Sequence, residues 1–399
     1  MKILVTNANS RMACSIARSM ARNGHSVIAA DYVPKAMTFF SRYISDRFLY
    51  PSPYSKPADF VRHLTMRIIR DGVDFLIPTH EETFLIAKHA HMFNKITLMT
   101  VPDYSAVLEV HNKDRLYSHL QNLSILTPKT IPLSGCSDFS ELRNILPGKA
   151  LLKPRQGGGN WGIKYLDRSS DYEVQIKNYL TSNAIARERV LIQEWVPILK
   201  KYSHVVIYQK GKLIQDFADI HLRDYPYAGG AGSLRISCDP GPMREISKRL
   251  FDSLGWHGVA EVEYVTHRET GDFYMIEVNP RIWGGLNSAM SSGLNIPDML
   301  LRIAKGKEAM KPVEYTRGVV TRWFWGDLRV FPEYLRQSPS KLGALGEYMK
   351  LMVNGATTDE FRWDDPLPFF VWPAHALFKS IRYRSLRPVA YDSLGGEWE

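Results

Sequence analysis

Residues 258–286 constrain this chain more than any other stretch. Val259–Val265 and Phe273–Val278 alternate apolar and polar residues, and Thr270-Gly271-Asp272 supplies a turn between them. That pattern predicts an antiparallel hairpin. Glu263 falls on the first strand, and Glu277 and Asn279 fall on or just beyond the second. Strand side chains repeat every second residue, so Glu277, Asn279 and Arg281 share one face while Ile276 and Val278 take the other. Two carboxylates and an amide oxygen are hard donors of the kind Mg²⁺ takes, with positions left for phosphate oxygens. Arg281 adds a planar cation suited to polyphosphate charge. The alternative is an ordinary solvated hairpin face on which the acids and Arg281 simply pair.

Composition narrows the classes. The 399 residues leave room for two or three domains, and 45% hydrophobic with 23% charged content is that of a folded globular protein. Cys14, Cys136 and Cys238 are odd in number and lack metal-ligand spacing, so a reducing cytoplasm is expected rather than a disulfide framework. Met1-Lys-Ile-Leu-Val-Thr-Asn reads as a strand rather than a secretory leader, and no apolar run has the length of a membrane span. The net charge of +10 is dispersed, without a zinc-finger or ribonucleoprotein motif. Nucleic acid is therefore not an expected partner. A basic balance instead fits the steering of anionic small molecules.

Taken in order, residues 1–105 read as βα repeats. Asn7-Ala8-Asn9-Ser10-Arg11 lacks the G-x-G-x-x-G that lets backbone approach a pyrophosphate, which argues against NAD and makes Asp31 a loop residue rather than a ribose ligand. Thr79, Glu81 and Glu82 follow a buried strand and are candidates for a substrate loop, or for a helix N-terminus stabilised by its own acids. Lys113 opens a helix where its charge opposes the helix dipole, so it needs either solvent or an anion. Gly157, Gly158 and Gly159 lie between two strands, after Lys153-Pro154. Three adjacent glycines exceed what a hairpin needs and suit a loop whose amides wrap a phosphate. His221-Leu-Arg-Asp-Tyr-Pro-Tyr then leads into Gly229-Gly230.

Glu-Val-Asn-Pro-Arg at 277–281, with an acid fourteen positions upstream of its Glu, resembles the metal signature of ATP-grasp enzymes. The resemblance runs from the N-terminus to about residue 327. It implies an α/β (α+β ATP-grasp) fold in four parts: a Rossmann-like domain over 1–111, a small lid over 112–190, an antiparallel catalytic subdomain over 191–327, and a helical tail over 328–399. It implies that Glu263, Glu277 and Asn279 hold Mg²⁺ on the ATP phosphates and that Arg281 meets the transferred phosphoryl group. Lys113, Lys153 and Gly157–Gly159 then contact phosphates, with Trp161 able to cover the closed site. Gln193, Glu194, Trp195 and Val196 form the adenine hinge. The family's usual ribose-binding Glu is missing, which leaves Ser203 or His204 to replace it.

The stretch around Arg223, Tyr225, Gly229 and Gly230 looks like that of the carboxylate–amine ligase branch, with Arg223 as holder of the carboxylate or acyl phosphate and Thr79 and Glu82 near the acceptor. The implied reaction is ATP-dependent amide formation through an acyl phosphate. The alternatives are phosphorylation of a carbonate or carbamate, as in carbamoyl-phosphate synthases, and a nucleotide-binding regulatory module without catalysis. Relatives suggest a homodimer. Finally, the aromatic segment 364–378 precedes Lys379, Arg382, Arg384 and Arg387. Packing of these aromatics on the protein's own core is the preferred expectation, and contact with an anionic membrane surface the alternative. Pro366, Pro368 and Pro373 argue against a long membrane-lying helix.

Overall fold

The computed structural model describes residues 1–374 apart from 137–138, 140–141, 147, 157–161, 228, 308–311, 354–355 and 372. The glycine loop Gly157–Gly159, Trp161 and the basic run after Lys379 lie outside the described residues.

Among the described residues three sheets organise the chain. The first is parallel, in the spatial order Asp46–Leu49, Ser26–Asp31, Lys2–Val5, Phe75–Ile77, Leu98–Met99. Its central strands are buried along nearly their whole length, as a sheet covered by helices on both faces requires. Ser10 caps the helix Arg11–Arg22 by accepting the Ala13 amide. Asp31 ends its strand buried and accepts the amides of Asn9 (2.7 Å) and Val33 (2.8 Å). It therefore shapes the Asn7–Arg11 loop internally.

The second sheet is small and antiparallel, ordered Thr130–Pro132, Val190–Glu194, Ala150–Pro154, Lys164–Leu166. Leu152, Leu166 and Ile192 pack on Tyr172, Ile176 and Tyr179 of the helix Tyr172–Ser182. The strand Val190–Glu194 is an inner strand of this sheet, which therefore continues to Glu194, past the expected boundary at 190.

The third sheet has seven strands: Phe273–Asn279, Gly258–His267, Ile198–Gln209, Lys212–Tyr225, Ala231–Cys238, Val320–Arg322 and Thr357–Thr358. All its pairings are antiparallel except the last. Lys210 and Gly211 join the long central pair with φ of 49° and 77°. A two-residue hairpin turn of that hand twists with its strands, and glycine at 211 makes it inexpensive. Alternation divides the sheet's two faces. Val206, Tyr208, Val262 and Tyr264 pack towards Leu250 and Phe251 of the helix Pro242–Ser253. Val205, Ile207, Phe217 and Val259 pack with Trp283 towards the helix Arg11–Arg22 of the first domain.

The tail expected to be helical contains the helices Phe324–Gln337 and Lys341–Val353 and then adds the edge strand Thr357–Thr358. Beyond it, buried Asp365 pairs with Arg18 (2.8 Å) and accepts from Ser41 (2.7 Å), which fastens the tail to the first domain.

Candidate active site

The polar end of the face that carries Val205 and Val259 is the candidate site. Glu263 lies directly opposite Glu277 across the hairpin, and Glu261 lies opposite Asn279. Ser203 is registered with Glu263 on the next strand, and Asp219 with Ser203 on the one after. The sheet thus presents a row of oxygen donors, and each carboxylate of the expected metal pair has a lysine beside it. Lys201 Nζ lies 2.9 Å from Glu263, and Lys113 Nζ lies 3.8 Å from Glu277. Burial works to raise the Glu263 carboxyl, but Lys201 and His221 outweigh it and hold it below the usual range. Burial and the neighbouring Glu263 push Glu261 upward.

Arg281 follows the row as the sequence implies, its guanidinium donating to Asn279 Oδ1 (3.1 Å) and to the Ile282 carbonyl (3.0 Å). Lys153 reaches down from the lid. It is buried and donates to the Tyr117 hydroxyl (2.6 Å) and to Gln193 Oε1 (3.1 Å), while Tyr117 donates to the Ile276 carbonyl (2.8 Å) on the hairpin. Burial, opposed by Glu277 and Glu263, lowers Lys153 to about 8. The four charges Lys113, Lys153, Arg281 and Lys201 therefore converge on the acid row from four different segments of the chain.

This donor set fits Mg²⁺. Among the described residues no cluster of three or more His, Cys, Asp or Glu forms a ready-made metal cage. Two facing carboxylates and an amide oxygen, already balanced by lysines, suit an ion that keeps most of its positions for phosphate oxygens.

Several expected roles are corrected. The strand bulges on either side of Arg223, which turns it away from the face that His221 and Asp224 occupy. Its guanidinium makes a bidentate pair with buried Asp327, at 2.7 and 3.1 Å, and lies over Tyr334 and Tyr348. It ties the helix Phe324–Gln337 to the sheet. Ser203 donates to Glu261 (2.7 Å) and sits 3.0 Å from His221 Nε2, and His204 is buried against Ser247 and Asp216. Both are buried and already bonded to these neighbours. Gln193 spends its amide on Lys153 and Thr130, so its side chain positions the lysine. Glu82 is buried and accepts from the Thr6 hydroxyl and the Thr79 and His80 amides; Thr79 donates to the Thr6 carbonyl. Both build the first domain's loop. Glu81 is the member of that loop whose charge is felt by Arg281 and Lys113.

At the hinge, Glu194 and Trp195 give their amides to the Lys129 and Lys149 carbonyls, and among the described residues Val196 keeps its amide unspent. Gly230 packs so tightly on the Tyr225 carbonyl that a Cβ would collide with it, and its own carbonyl accepts from Lys201 (2.6 Å). The Gly229-Gly230 turn is thereby drawn to the acid row, with Tyr225 stacked edgewise on Trp323.

Sequence reasoning missed Glu261, Lys201, His221, Asp224 and Tyr117. His221 Nδ1 is 2.7 Å from Asp224 and its Nε2 is 3.0 Å from Ser203, giving a line Asp224–His221–Ser203–Glu261. Glu261 was detectable, because it is two residues from Glu263 and must share its face.

The fold is similar to that of known ATP-grasp proteins. More particularly, residues 228–325 match the family model described as "ATP-grasp in the biosynthetic pathway with Ter operon". A curated relative, the N-terminal section of the carbamoyl phosphate synthase large chain of Methanopyrus kandleri, is 29% identical over 136 residues, 30% of this chain. The match spans 23% of that relative's length. Among solved structures, the biotin carboxylase–βγ-ATP complex from Campylobacter jejuni aligns at TM-score 0.65 and 16% identity, over 80% of this chain and 74% of that one. N5-carboxyaminoimidazole synthetase from Staphylococcus aureus aligns at TM-score 0.65 and 13% identity, over 89% and 97%. The biotin carboxylase domain of Hydrogenobacter thermophilus 2-oxoglutarate carboxylase, with MgADP, ADP and bicarbonate, aligns at 0.62 and 18%, over 80% and 73%.

Proposed function

We propose that this chain is an ATP- and Mg²⁺-dependent carboxylate–amine ligase. A substrate carboxylate oxygen attacks the γ-phosphorus of ATP, the bond to the β-phosphate oxygen breaks, and ADP leaves. An amine then attacks the acyl carbon of the acyl phosphate, phosphate departs, and the amine gives up a proton as the amide forms. The observation that carries this reading is the convergence of Lys113 and Lys153 on the facing pair Glu263 and Glu277, with Arg281 bonded to Asn279 beside them. Phosphoryl transfer needs positioning and charge neutralisation more than a protein nucleophile. Bound Mg²⁺ supplies part of that neutralisation at the phosphate oxygens. The chain's own groups do the rest. Lys153, carried on the small antiparallel sheet, places its charge beside the acid row. Arg281 meets charge that develops on the moving phosphoryl group. The three cysteines are free, as suits a reducing cytoplasm.

A second reading has one specific support, the similarity to a carbamoyl phosphate synthase section: the phosphorylated acid would then be bicarbonate or carbamate. A silent regulatory module is disfavoured because both metal carboxylates and both lysines are in place. The test is ADP release from ATP and Mg²⁺ over a panel of carboxylates and amines, with bicarbonate alone as one arm. Acceleration by one acid–amine pair supports the ligase. Acceleration by bicarbonate alone supports the second reading, and ADP release that no acid accelerates refutes both.

A further inference from the structure

The pair Gly284-Gly285 follows Arg281 in the signature stretch, and the proposed reaction gives it no role. Its neighbours do. A Cβ at Gly285 would stand 2.8 Å from Trp283 Nε1 and 3.2 Å from Arg235 Nε, and a Cβ at Gly232 would stand 2.8 Å from the same Arg235 Nε. Glycine at both positions keeps one edge of the Arg235 guanidinium uncovered. Arg235 is registered with His221, and His221 with Lys201, so it continues the face that carries the acid row. It is 2% exposed, and among the described residues its one hydrogen bond runs from Nη1 to Asp359 at 3.5 Å. Asp359 is shared with Arg11 Nε, at 3.1 Å. Arg235 Nε and Nη2, the edge that grips a carboxylate with two parallel bonds, make none among the described residues.

The same patch holds other unsatisfied groups. Trp283 Nε1, both oxygens of Asp219 and the Ser288 hydroxyl are buried and complete no hydrogen bond among the described residues. Arg235 and His221 are the cations whose charge bears most on Asp219. Folded proteins satisfy nearly all buried polar groups, so an open guanidinium edge, an indole N–H and a bare carboxylate in one place call for a ligand. That ligand brings an anion for Arg235 and Trp283 and a cationic N–H for Asp219. Distance says which end of it. Asp219 shares the row of Glu263 two strands away, and Arg235 lies three strands away. Strands are about 4.8 Å apart, which puts Asp219 roughly 10 Å and Arg235 roughly 15 Å from Glu263. The carboxylate that attacks ATP has to lie beside the metal acids, so this patch meets the far end of the substrate. Building on the ligase reading, we propose that the phosphorylated acid carries an α-amino acid group at its other end, with the ammonium held by Asp219 and the carboxylate by Arg235 and Trp283.

The experiment sets aspartate, glutamate and 2-aminoadipate beside their analogues without the amine (succinate, glutarate, adipate) and without the α-carboxylate (β-alanine, 4-aminobutyrate, 5-aminovalerate). Each is tested for acceleration of ADP release with MgATP and the amine panel, and by calorimetric titration in the presence of ADP. One amino diacid is expected to exceed both of its analogues by roughly 10–100-fold in kcat/KM, the loss that missing charge-assisted hydrogen bonds produce. Arg235→Met is expected to raise its KM by a similar factor with little change in kcat, and to leave the analogue without the α-carboxylate as it was. Asp219→Asn is expected to remove the preference over the analogue without the amine. Arg235→Lys, which keeps the charge and loses the fork, is expected to fall between parent and Arg235→Met. A best acid with no α-amino acid end overturns the proposal, as does an amino diacid whose KM no variant moves; both results leave the ligase reading standing. Variants that change the melting temperature alone show that water fills the patch, and overturn it too. ADP release that no acid accelerates refutes the ligase reading instead. Calorimetric binding of an amino diacid that Arg235→Met abolishes then supports the subsite by itself, and its absence overturns both.

Discussion

Arg223 separates what the sequence pattern suggests from what the geometry supports. The perturbation is Arg223→Met, which keeps much of the apolar stem and removes the charge. Asp327 has no solvent exposure and accepts from Arg223 at 2.7 and 3.1 Å. Removing one partner of a buried ion pair costs about 3–5 kcal/mol, because the remaining charge is left without compensation. Arg322 Nε also lies 2.9 Å from Asp327, so part of the compensation survives and the lower end, ~3 kcal/mol, applies. At about 2–4 °C per kcal/mol for a domain of 150–250 residues, the melting temperature should fall by roughly 6–12 °C. The double variant Arg223→Met with Asp327→Leu should recover part of the loss, since no unpaired charge remains. The assay is thermal unfolding of the single and double variants beside ADP release below the transition. A melting temperature unchanged by Arg223→Met, with turnover lost, would refute the structural role and restore Arg223 as a substrate ligand.

Other expectations follow from the same face. Glu277→Gln should lower turnover by about 10²–10³-fold with an unchanged melting temperature, and Arg281→Met should lower turnover more than it weakens ATP binding, since Arg281 acts on the transferred group; calorimetric titration of MgATP beside steady-state kinetics checks both. Lys153, lowered to about 8 by burial, must regain its proton to hold phosphate, so MgATP affinity should weaken by about tenfold per unit above that pH, whereas Lys153→Arg should stay flat. A pH-independent affinity in the parent would exclude Lys153 from the phosphate contact. In the absence of ATP the sign for folding is the reverse. The unfolded chain holds more protons than the folded one between about 8 and the free lysine value of about 10.4, so this residue's contribution to stability rises with pH over that window.

The hairpin and its facing acids were legible because strand alternation and a short turn fix which residues share a face. The parallel first domain was legible for the same reason, through buried strands interrupted by helical periodicity. Arg223 was misread because a bulge is a one-residue event. It reverses a side chain's direction without changing the composition on either side. The bonds of Ser203 to Glu261 and of Gln193 to Lys153 were not legible, because only the folded register brings these distant segments close. Lys201 and His221 gave no local signal. They matter because Lys201 is drawn to Glu263 and the Gly230 carbonyl, and His221 to Ser203 and Asp224.

The most direct test of the central claim is hydroxamate formation from ATP, Mg²⁺, hydroxylamine and the carboxylates that accelerate ADP release. Hydroxylamine intercepts an activated acyl group whatever the natural amine is. The account predicts hydroxamate in step with ADP and phosphate, and loss of all three in Glu277→Gln. Hydroxamate accompanied by AMP and pyrophosphate, or formed equally well by Glu277→Gln, would contradict it.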